Sequence, residues 1–600
     1  MDGPRGDSMR VLLIDPLDTA DAGVWAGQRW DRIIDLGMGG KNTYERWAHQ
    51  FQCPVTTLNS LRTGFDDFRR VRELLGLGCG QMIDEDGLDW WEIMSILRHG
   101  EMETLILLQR LVQTVSPGDE VYVSRPGLHA NLLQYFLPRM NIFPLRWGTQ
   151  KGGLPHYIRV FNKLSASQMI DVFWDKYDLG YQFRRHLARN RPPSTRPVVV
   201  LPTAYINVSR TGAAYAKTFP QEKFLLVATR RSGWIKDLPQ NVTPAWLSSY
   251  ASARDRKDEN AGMESQWRSL RSKLEEVPEF EILNRRGYLD DLSRHFRHAL
   301  EVRDAWRNLL DTEPVQAVLC ADDSNPYTRI PLLLARARGL PNIACHHGAL
   351  DGRYVFKRTH ADVIWAKGKM EQDYLVNQCG VPQEKVEIAA PAMPAAWNGL
   401  QQANRQVFRP YILFISEASD VSGGRPEEFY KDVLPPLADL AQASGRQLIV
   451  KLHPAESERQ RAATLARILS AQQKTITRIV TGPLTEDLLA KAWFGITILS
   501  TVAIECAVRG IPCFLCKWLE FWPYGYIEQF IRFGAGVGLN DPSEIQKIPE
   551  YLQQNPPAAD IRENCWLPAA ASRLRELLTS APRKPATREA AAKECATTTH

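Results

Sequence analysis

Two adjacent histidines, His346 and His347, followed by Gly348, close the apolar run Asn342 to Cys345. An imidazole is neutral enough near pH 7 to take a proton from an attacking hydroxyl. Gly348 would let backbone approach a ligand closely. Taken singly, such a histidine is as well explained by local backbone hydrogen bonds. A second group, Lys451-Leu452-His453-Pro454, ends the run Gln447 to Val450. Pro454 stops the strand and sets a turn that would present imidazole and ammonium together, two donors suited to phosphate oxygens. Ser500 and Thr501 precede Glu505 and Gly510-Ile511-Pro512. The hydroxyls fall where a helix should begin, a position that caps the helix and favours anions. Capping suffices for Ser500 but leaves Glu505 over, a carboxylate suited to ribose hydroxyls. Ser416 and Glu417 open a polar, glycine-containing loop reaching Gly424, expected to cradle a diphosphate.

The remaining charged candidates have plainer readings. Asp322-Asp323 could bind a metal, but Ser324-Asn325-Pro326 leads into a helix, so capping carboxylates account for them. Arg210, Arg230, Arg231 and Lys357 could meet phosphates or simply be surface charge. Cys513 and Cys516 form a lone CxxC in an apolar run and read as buried strand cysteines. Neither GxGxxG nor GxxxxGK[ST] occurs, which removes the P-loop ATPase reading.

The elements that must position these groups alternate between apolar runs and longer amphipathic stretches, the pattern of parallel α/β layers. Strands are expected at Val11–Ile14, Glu120–Val123, Val198–Leu201, Phe224–Val227, Ala317–Cys320, Asn342–Cys345 and Asp362–Trp365. More follow at Tyr411–Ile415, Gln447–Val450, Arg478–Val480, Ile496–Leu499 and Pro512–Leu515. Leu289, Leu292, Phe296, Leu300, Trp306 and Leu310 recur at helical spacing, and Val502–Val508 reads as helix. Arg189–Pro197 reads as a linker, Pro391–Arg409 as an interdomain crossing, and the segment after Pro582 as a mobile tail. The 600 residues are 44% hydrophobic and 24% charged, as in a globular enzyme. A net charge of +6 is too mild to imply nucleic acid, but suits an anionic small molecule or a peripheral contact with the inner membrane. No uncharged apolar run of about 18 residues occurs, the start lacks signal-peptide character, and the cysteine spacing is irregular. A cytoplasmic location is therefore expected.

Together, the HG pair, K-x-H-P and S-[ST]-x-x-x-E before G-x-P resemble the GT-B enzymes of bacterial capsule and wall polymer synthesis. The similar families are the CDP-glycerol glycerophosphotransferases, the polysialyltransferases and the capsular Kdo transferases. The resemblance spans Arg196 to Leu552 and is carried by the set of motifs more than by any one. It implies two Rossmann-like domains facing a cleft, 196–395 and 405–555. Outside it, an additional N-terminal α/β region, 1–190, matches none of these families and is expected to be acceptor-related, and a C-terminal helix and tail are expected at 556–600. In those families the HP histidine and the Ser/Thr pair hold the nucleotide's phosphates, which implies that role for His453, Ser500 and Thr501. The HG histidine is catalytic in the glycerophosphotransferases, pointing to His347. The acidic base of the polysialyltransferases, which lies beside a glycine, points to Asp351. GT-B halves often exchange their last helix, so Ala569–Leu578 is expected to pack against the first half.

The expected activity is glycosyl transfer from a nucleotide-activated donor, with no metal or resident cofactor, to a glycan or lipid-linked glycan. A sugar-nucleotide 2-epimerase using Asp322, Asp323 and Glu417, and a non-catalytic scaffold of polysaccharide assembly, are the alternatives.

Overall fold

The computed structural model describes residues 8–144, 193–251, 256–393, 408–417, 425–453, 456–482, 484–519, 524–554 and 560–580. Pro454 and the loop 418–424 lie outside the described residues, as do the last part of the N-terminal region, from 145 on, most of the expected crossing at 391–409 and the tail. Eighteen strands are described, and they form three sheets, each wholly parallel among the described residues.

The first sheet joins β1 (Arg10–Ile14), β2 (Arg32–Asp35), β3 (Val55–Thr57), β4 (Glu120–Val123) and β5 (Asn141–Ile142) in the order 3-2-1-4-5. The second contains β6 (Val198–Thr203), β7 (Phe224–Ala228), β8 (Val242–Trp246), β9 (Val315–Cys320), β10 (Asn342–Cys345), β11 (Val363–Ala366) and β12 (Val386–Ile388), ordered 12-11-10-9-6-7-8. The third holds β13 (Tyr411–Ile415), β14 (Gln447–Lys451), β15 (Thr477–Val480), β16 (Ala492–Thr497), β17 (Cys513–Cys516) and β18 (Val537–Leu539), ordered 15-14-13-16-17-18. Counted from its own first strand, each sheet runs 3-2-1-4-5 and onward, the Rossmann order. The α/β class, the two Rossmann-like sheets and the additional N-terminal α/β region expected from the sequence are therefore all present, and the N-terminal sheet has the same winding as the other two. Continuous apolar runs such as Val198–Leu201 arise because both faces of a parallel strand are covered, and every residue of β6 is buried.

The chain forms two compact units: Met1–Phe65, Thr104–Ser165 and Pro394–Ile561 in one, and Asp66–Glu103, Ala166–Met393 and Arg562–His600 in the other. The region 1–190 thus does not stay together. Asp66–Glu103 belongs with the second unit because its buried groups find their partners there. Glu92, 2% exposed, accepts from Arg329 Nη2 at 2.5 Å and from the amides of Arg358 and Thr359 at 3.0 and 2.7 Å. Trp91 stacks on Trp267 at 5.8 Å. A carboxylate at that depth is tolerable only when its acceptor positions are filled.

The helix Leu292–Thr312 carries the heptad-like apolar face seen in the sequence, and Leu289 is buried just before it. Leu574 and Leu577, on the helix Arg573–Thr579, enter the same core as β6, β7 and β9. Arg573 binds Glu387, and the strap leading in pairs Ala390 N with Leu567 O at 2.9 Å and Ala569 N with Ala390 O at 2.8 Å. Cys513 and Cys516 are buried thiols in β17. Among the described residues, no helix is long and apolar enough to cross a membrane.

Candidate functional site

In a Rossmann sheet the connections diverge between the first and fourth strands, leaving a crevice at their carboxyl ends. For the second sheet that point lies between β6 and β9, and the residues just past β6, β9 and β10 converge there. Tyr205 follows β6, Asp322 follows β9, and His347 follows β10. The Tyr205 hydroxyl donates to Asp322 Oδ2 and lies 3.3 Å from His347 Nδ1, the two rings meeting edge to face.

This chain of contacts sets the histidine tautomer. Asp322 is held below the usual carboxylate range, because Arg353, with the hydrogen bond from Tyr205, outweighs its burial. As a carboxylate it can only accept, so the single phenolic proton points to it. The phenol stays protonated, since burial and Asp322 both raise its pKa. Its oxygen then accepts from His347 Nδ1–H, and Nε2 is left with a free lone pair. Burial, only partly offset by Asp322, keeps His347 below the ordinary histidine pKa and so neutral at pH 7. His347 is partly exposed. An imidazole in this state can take a proton from a hydroxyl brought to Nε2.

The neighbours hold this arrangement. Arg353 Nε donates to Asp351 Oδ1 at 2.9 Å, and its Nη2 lies 3.8 Å from Asp322 Oδ1. Lys367, 4% exposed, donates to the carbonyls of His346 and Gly348 at 2.6 and 2.8 Å, pinning the turn that carries His347, and Glu371 balances its charge. His346, 6% exposed, accepts the Gly348 amide on Nδ1 at 3.1 Å. Burial holds its pKa far below the usual value despite Asp351.

Several expectations change at this point. His346 is buried and shapes the turn through its bond to the Gly348 amide. Asp351 does not fit the role of a base: it is 4% exposed, and its oxygens accept from Arg353 and from Ser324 Oγ at 3.0 Å. Its burial is outweighed by Arg353, His346 and Lys357, which hold it well below the carboxylate range. Asp322 and Asp323 are not helix caps. The helix Pro326–Ala337 has Asn325 at its N-cap, while Asp323 is buried against Lys357 and Arg329 at 2.5 and 3.2 Å. Lys357, fully buried, is committed to that pair rather than to a phosphate.

Asp322, His346 and Asp351 offer ligand atoms within 4.8 Å of one another, a spacing a cation could use. Arg353 already bridges the two carboxylates and supplies the positive charge. Turnover is accordingly expected to survive EDTA; loss on chelation and recovery with magnesium would make these three residues metal ligands.

In the other unit, the switch point of the third sheet lies between β13 and β16. Glu417, just past β13, spans it: Oε1 accepts from Thr497 Oγ1 at 2.9 Å and from Leu499 N at 2.6 Å. Residues Ile498 to Ser500 therefore lie beyond the strand, which ends at Thr497 rather than Leu499. Ser500 Oγ accepts from Val502 N at 3.3 Å at the start of the helix Val502–Val508, while Thr501 is exposed and makes no cap bond. Glu505 lies on that helix, partly exposed, with Arg509 at 3.7 Å. His453 is partly exposed past β14, and its amide donates to Glu456 Oε2 at 2.8 Å.

Two of the donor-side candidates are buried. Ser416 is 3% exposed and shares a 2.6 Å hydrogen bond with Tyr430, which continues to Glu456 and Arg461. Lys451 is 6% exposed, its pKa lowered by burial, and its ammonium donates to the Leu452 carbonyl at 2.6 Å. Both bond to groups of their own sheet and its helix, close to the turn that carries His453. Glu417 bonds to its own sheet as well, and burial pushes its pKa up to about 7. A carboxyl raised on folding binds its proton more tightly in the native state. Its contribution to stability is thus full below its unfolded pKa and lost as pH rises through about 7. In urea melts, Glu417→Gln should lose less stability between pH 5 and pH 8 than the native chain; an equal loss would place the titration elsewhere.

Tyr205 was not visible as a site residue in the sequence, since a tyrosine after a strand carries no motif. Its place one residue beyond the Thr203-Ala204 end of the first strand of a half was the available signal.

No protein-family profile matches the chain, and no curated protein matches it in sequence. Solved structures do resemble it. The UDP-GlcNAc 2-epimerase of Methanocaldococcus jannaschii in complex with UDP-GlcNAc and UDP is 11% identical, with a TM-score of 0.41 over 64% of this chain and 99% of that one. MurG of Acinetobacter baumannii is 14% identical, with a TM-score of 0.37 over 64% and 99%. The calicheamicin glycosyltransferase CalG4 is 12% identical, with a TM-score of 0.35 over 67% and 98%. At these values the function has to be argued from the residues.

Proposed function

We propose that this chain is a metal-independent GT-B-type glycosyltransferase. It moves a sugar, or a sugar-like or polyol phosphate group, from a nucleotide-activated donor to a surface-polysaccharide acceptor. The observation that carries this reading is the Tyr205–Asp322–His347 series at the switch point of the second sheet, which leaves an unprotonated Nε2 on a partly exposed histidine. In sugar transfer the acceptor oxygen bonds to the anomeric carbon as its proton passes to His347 Nε2. The bond from that carbon to the donor's phosphate oxygen breaks, and its electron pair leaves with the nucleotide. His453, Ser500 and Thr501 hold those phosphates, and Glu505 holds the ribose. The engagement of Asp322 and Asp323 with Arg353, Lys357 and Arg329 favours transfer over 2-epimerisation, which would need carboxylates free to meet the sugar.

A thermal-shift panel of CMP, CDP, UDP and GDP tests the donor half, because a ligand that binds the native state raises its melting temperature. One nucleotide is expected to stabilise the chain. His453→Ala should weaken that nucleotide's binding by about 1–3 kcal/mol, the worth of a charge-assisted hydrogen bond. Stabilisation by none of the four removes the donor reading, and product formed from donor without an acceptor selects the epimerase.

A further inference from the structure

In the N-terminal sheet the crevice over the carboxyl ends of β1 and β2 is filled from within. Arg425, 7% exposed, begins the helix Pro426–Ala443 and reaches the ends of β1 and β2. Its two terminal nitrogens donate to the two oxygens of Asp35, Nη2 to Oδ1 at 2.6 Å. Nε donates to Asp18 O at 2.8 Å, Nη2 to Asp15 O at 3.4 Å, and the backbone amide to Met38 O at 3.0 Å.

The glycine-rich turn after β2, Gly37-Met38-Gly39-Gly40, leads into the helix Lys41–Phe51. The first amides of that helix meet carboxylates of the same Pro426–Ala443 helix. Asp432 accepts from Lys41 N and Asn42 N at 2.6 and 3.3 Å, and Glu428 from Gly40 N at 3.3 Å. A Cβ on Gly39 would stand 2.3 Å from Glu428 Oε2, and one on Gly40 would stand 2.8 Å from Asp432. The glycines admit two carboxylates over the first amides of this helix, the end of a helix that favours an anion.

We infer that the N-terminal sheet is a Rossmann-type module whose crevice over β1 and β2 is occupied by Arg425, Glu428 and Asp432 of the same chain. It serves as a fixed mount for the first helix of the donor half, and not as an acceptor or second nucleotide site. The occupied crevice stands on this geometry alone, whereas the effect on nucleotide rests on the donor reading above. Arg425 is in these terms a positioning residue, touching no substrate.

The test uses the full chain and whichever of CMP, CDP, UDP and GDP stabilises it most. Calorimetry should find one nucleotide per chain. Arg425→Ala should lower its affinity about 10-fold, raising the donor KM while leaving kcat at saturating donor within a few-fold. Added guanidinium, but not equal sodium chloride, should restore it, and Arg425→Lys should lose less. Asp35→Asn, which keeps the arginine, gives the same reading if Arg425→Ala does not fold. Two nucleotides per chain, or unchanged affinity in both variants, overturns the inference. If the native chain binds none of the four, the donor reading fails by itself. The melting temperature then decides: a fall in Arg425→Ala reversed by guanidinium supports the occupied crevice, and no fall overturns it.

Discussion

Turnover of His347→Ala is expected to fall about 100-fold or more, the range for a lost general base, while nucleotide affinity stays within about twofold of the native value. A turnover assay run beside calorimetry measures both. The contrast with His453→Ala carries the assignment, because one imidazole is placed on the acceptor proton and the other on donor phosphates. If His347→Ala loses nucleotide as badly as His453→Ala, His347 is a donor-site residue and the transfer mechanism has no base. Asp351 cannot take over, since Arg353 and Ser324 occupy its oxygens and its carboxyl is held well below the usual range. Tyr205→Phe gives a finer readout. It removes the hydroxyl that selects the Nδ1–H tautomer, so turnover should fall with no change in nucleotide binding.

The second large effect concerns stability. Lys357 is fully buried, donates to Asp323 Oδ1 at 2.5 Å and lies 3.5 Å above the Tyr354 ring. Lys357→Met leaves Asp323, 1% exposed, with Arg329 as its remaining cationic partner, and Arg329 is shared with Glu92. Breaking a buried pair from one side costs about 3–5 kcal/mol, since it strands a charge in a poorly polarisable interior. Urea unfolding should show a loss of that order, and Lys357→Met combined with Asp323→Leu should recover most of it. A single variant within about 1 kcal/mol of the native chain would mean that Asp323 is neutral or solvated.

Much of the layout was legible in the sequence because parallel strands buried on both faces read as unbroken apolar runs. Thus β1, β6, β9, β10 and β13 stand out. Strands missed lie mostly at sheet edges, where a short element suffices. β12 and β18 have three residues each, and β8 contains Pro244, which an edge strand tolerates and a central one does not. β2 was also missed, its Arg32-Ile33-Ile34-Asp35 being too short and charged to announce a central strand.

The site was legible as positions and not as contacts. His347, His453, Ser500 and Glu505 come from motif and spacing. Whether a polar residue at a strand end faces outward depends on what the rest of the chain places over it. Ser416 meets Tyr430, fourteen residues on, and Lys451 turns to its neighbour's carbonyl, and no local pattern announces either. Asp322 misled for the same reason: its decisive partner, Tyr205, lies 117 residues earlier.

The pairing of Asp35 with Arg425 spans 390 residues. Ribosomes deliver about 5–20 residues per second, so roughly 20–80 s separate the synthesis of the two partners. During that interval β1 and β2 can pair, but the carboxylate at their end has no guanidinium, and the turn at Gly39 and Gly40 has no carboxylates over its amides. Residues 166–393, which contain the whole second sheet, emerge complete in the meantime. The sheet that contains β1 is thus among the last to be finished.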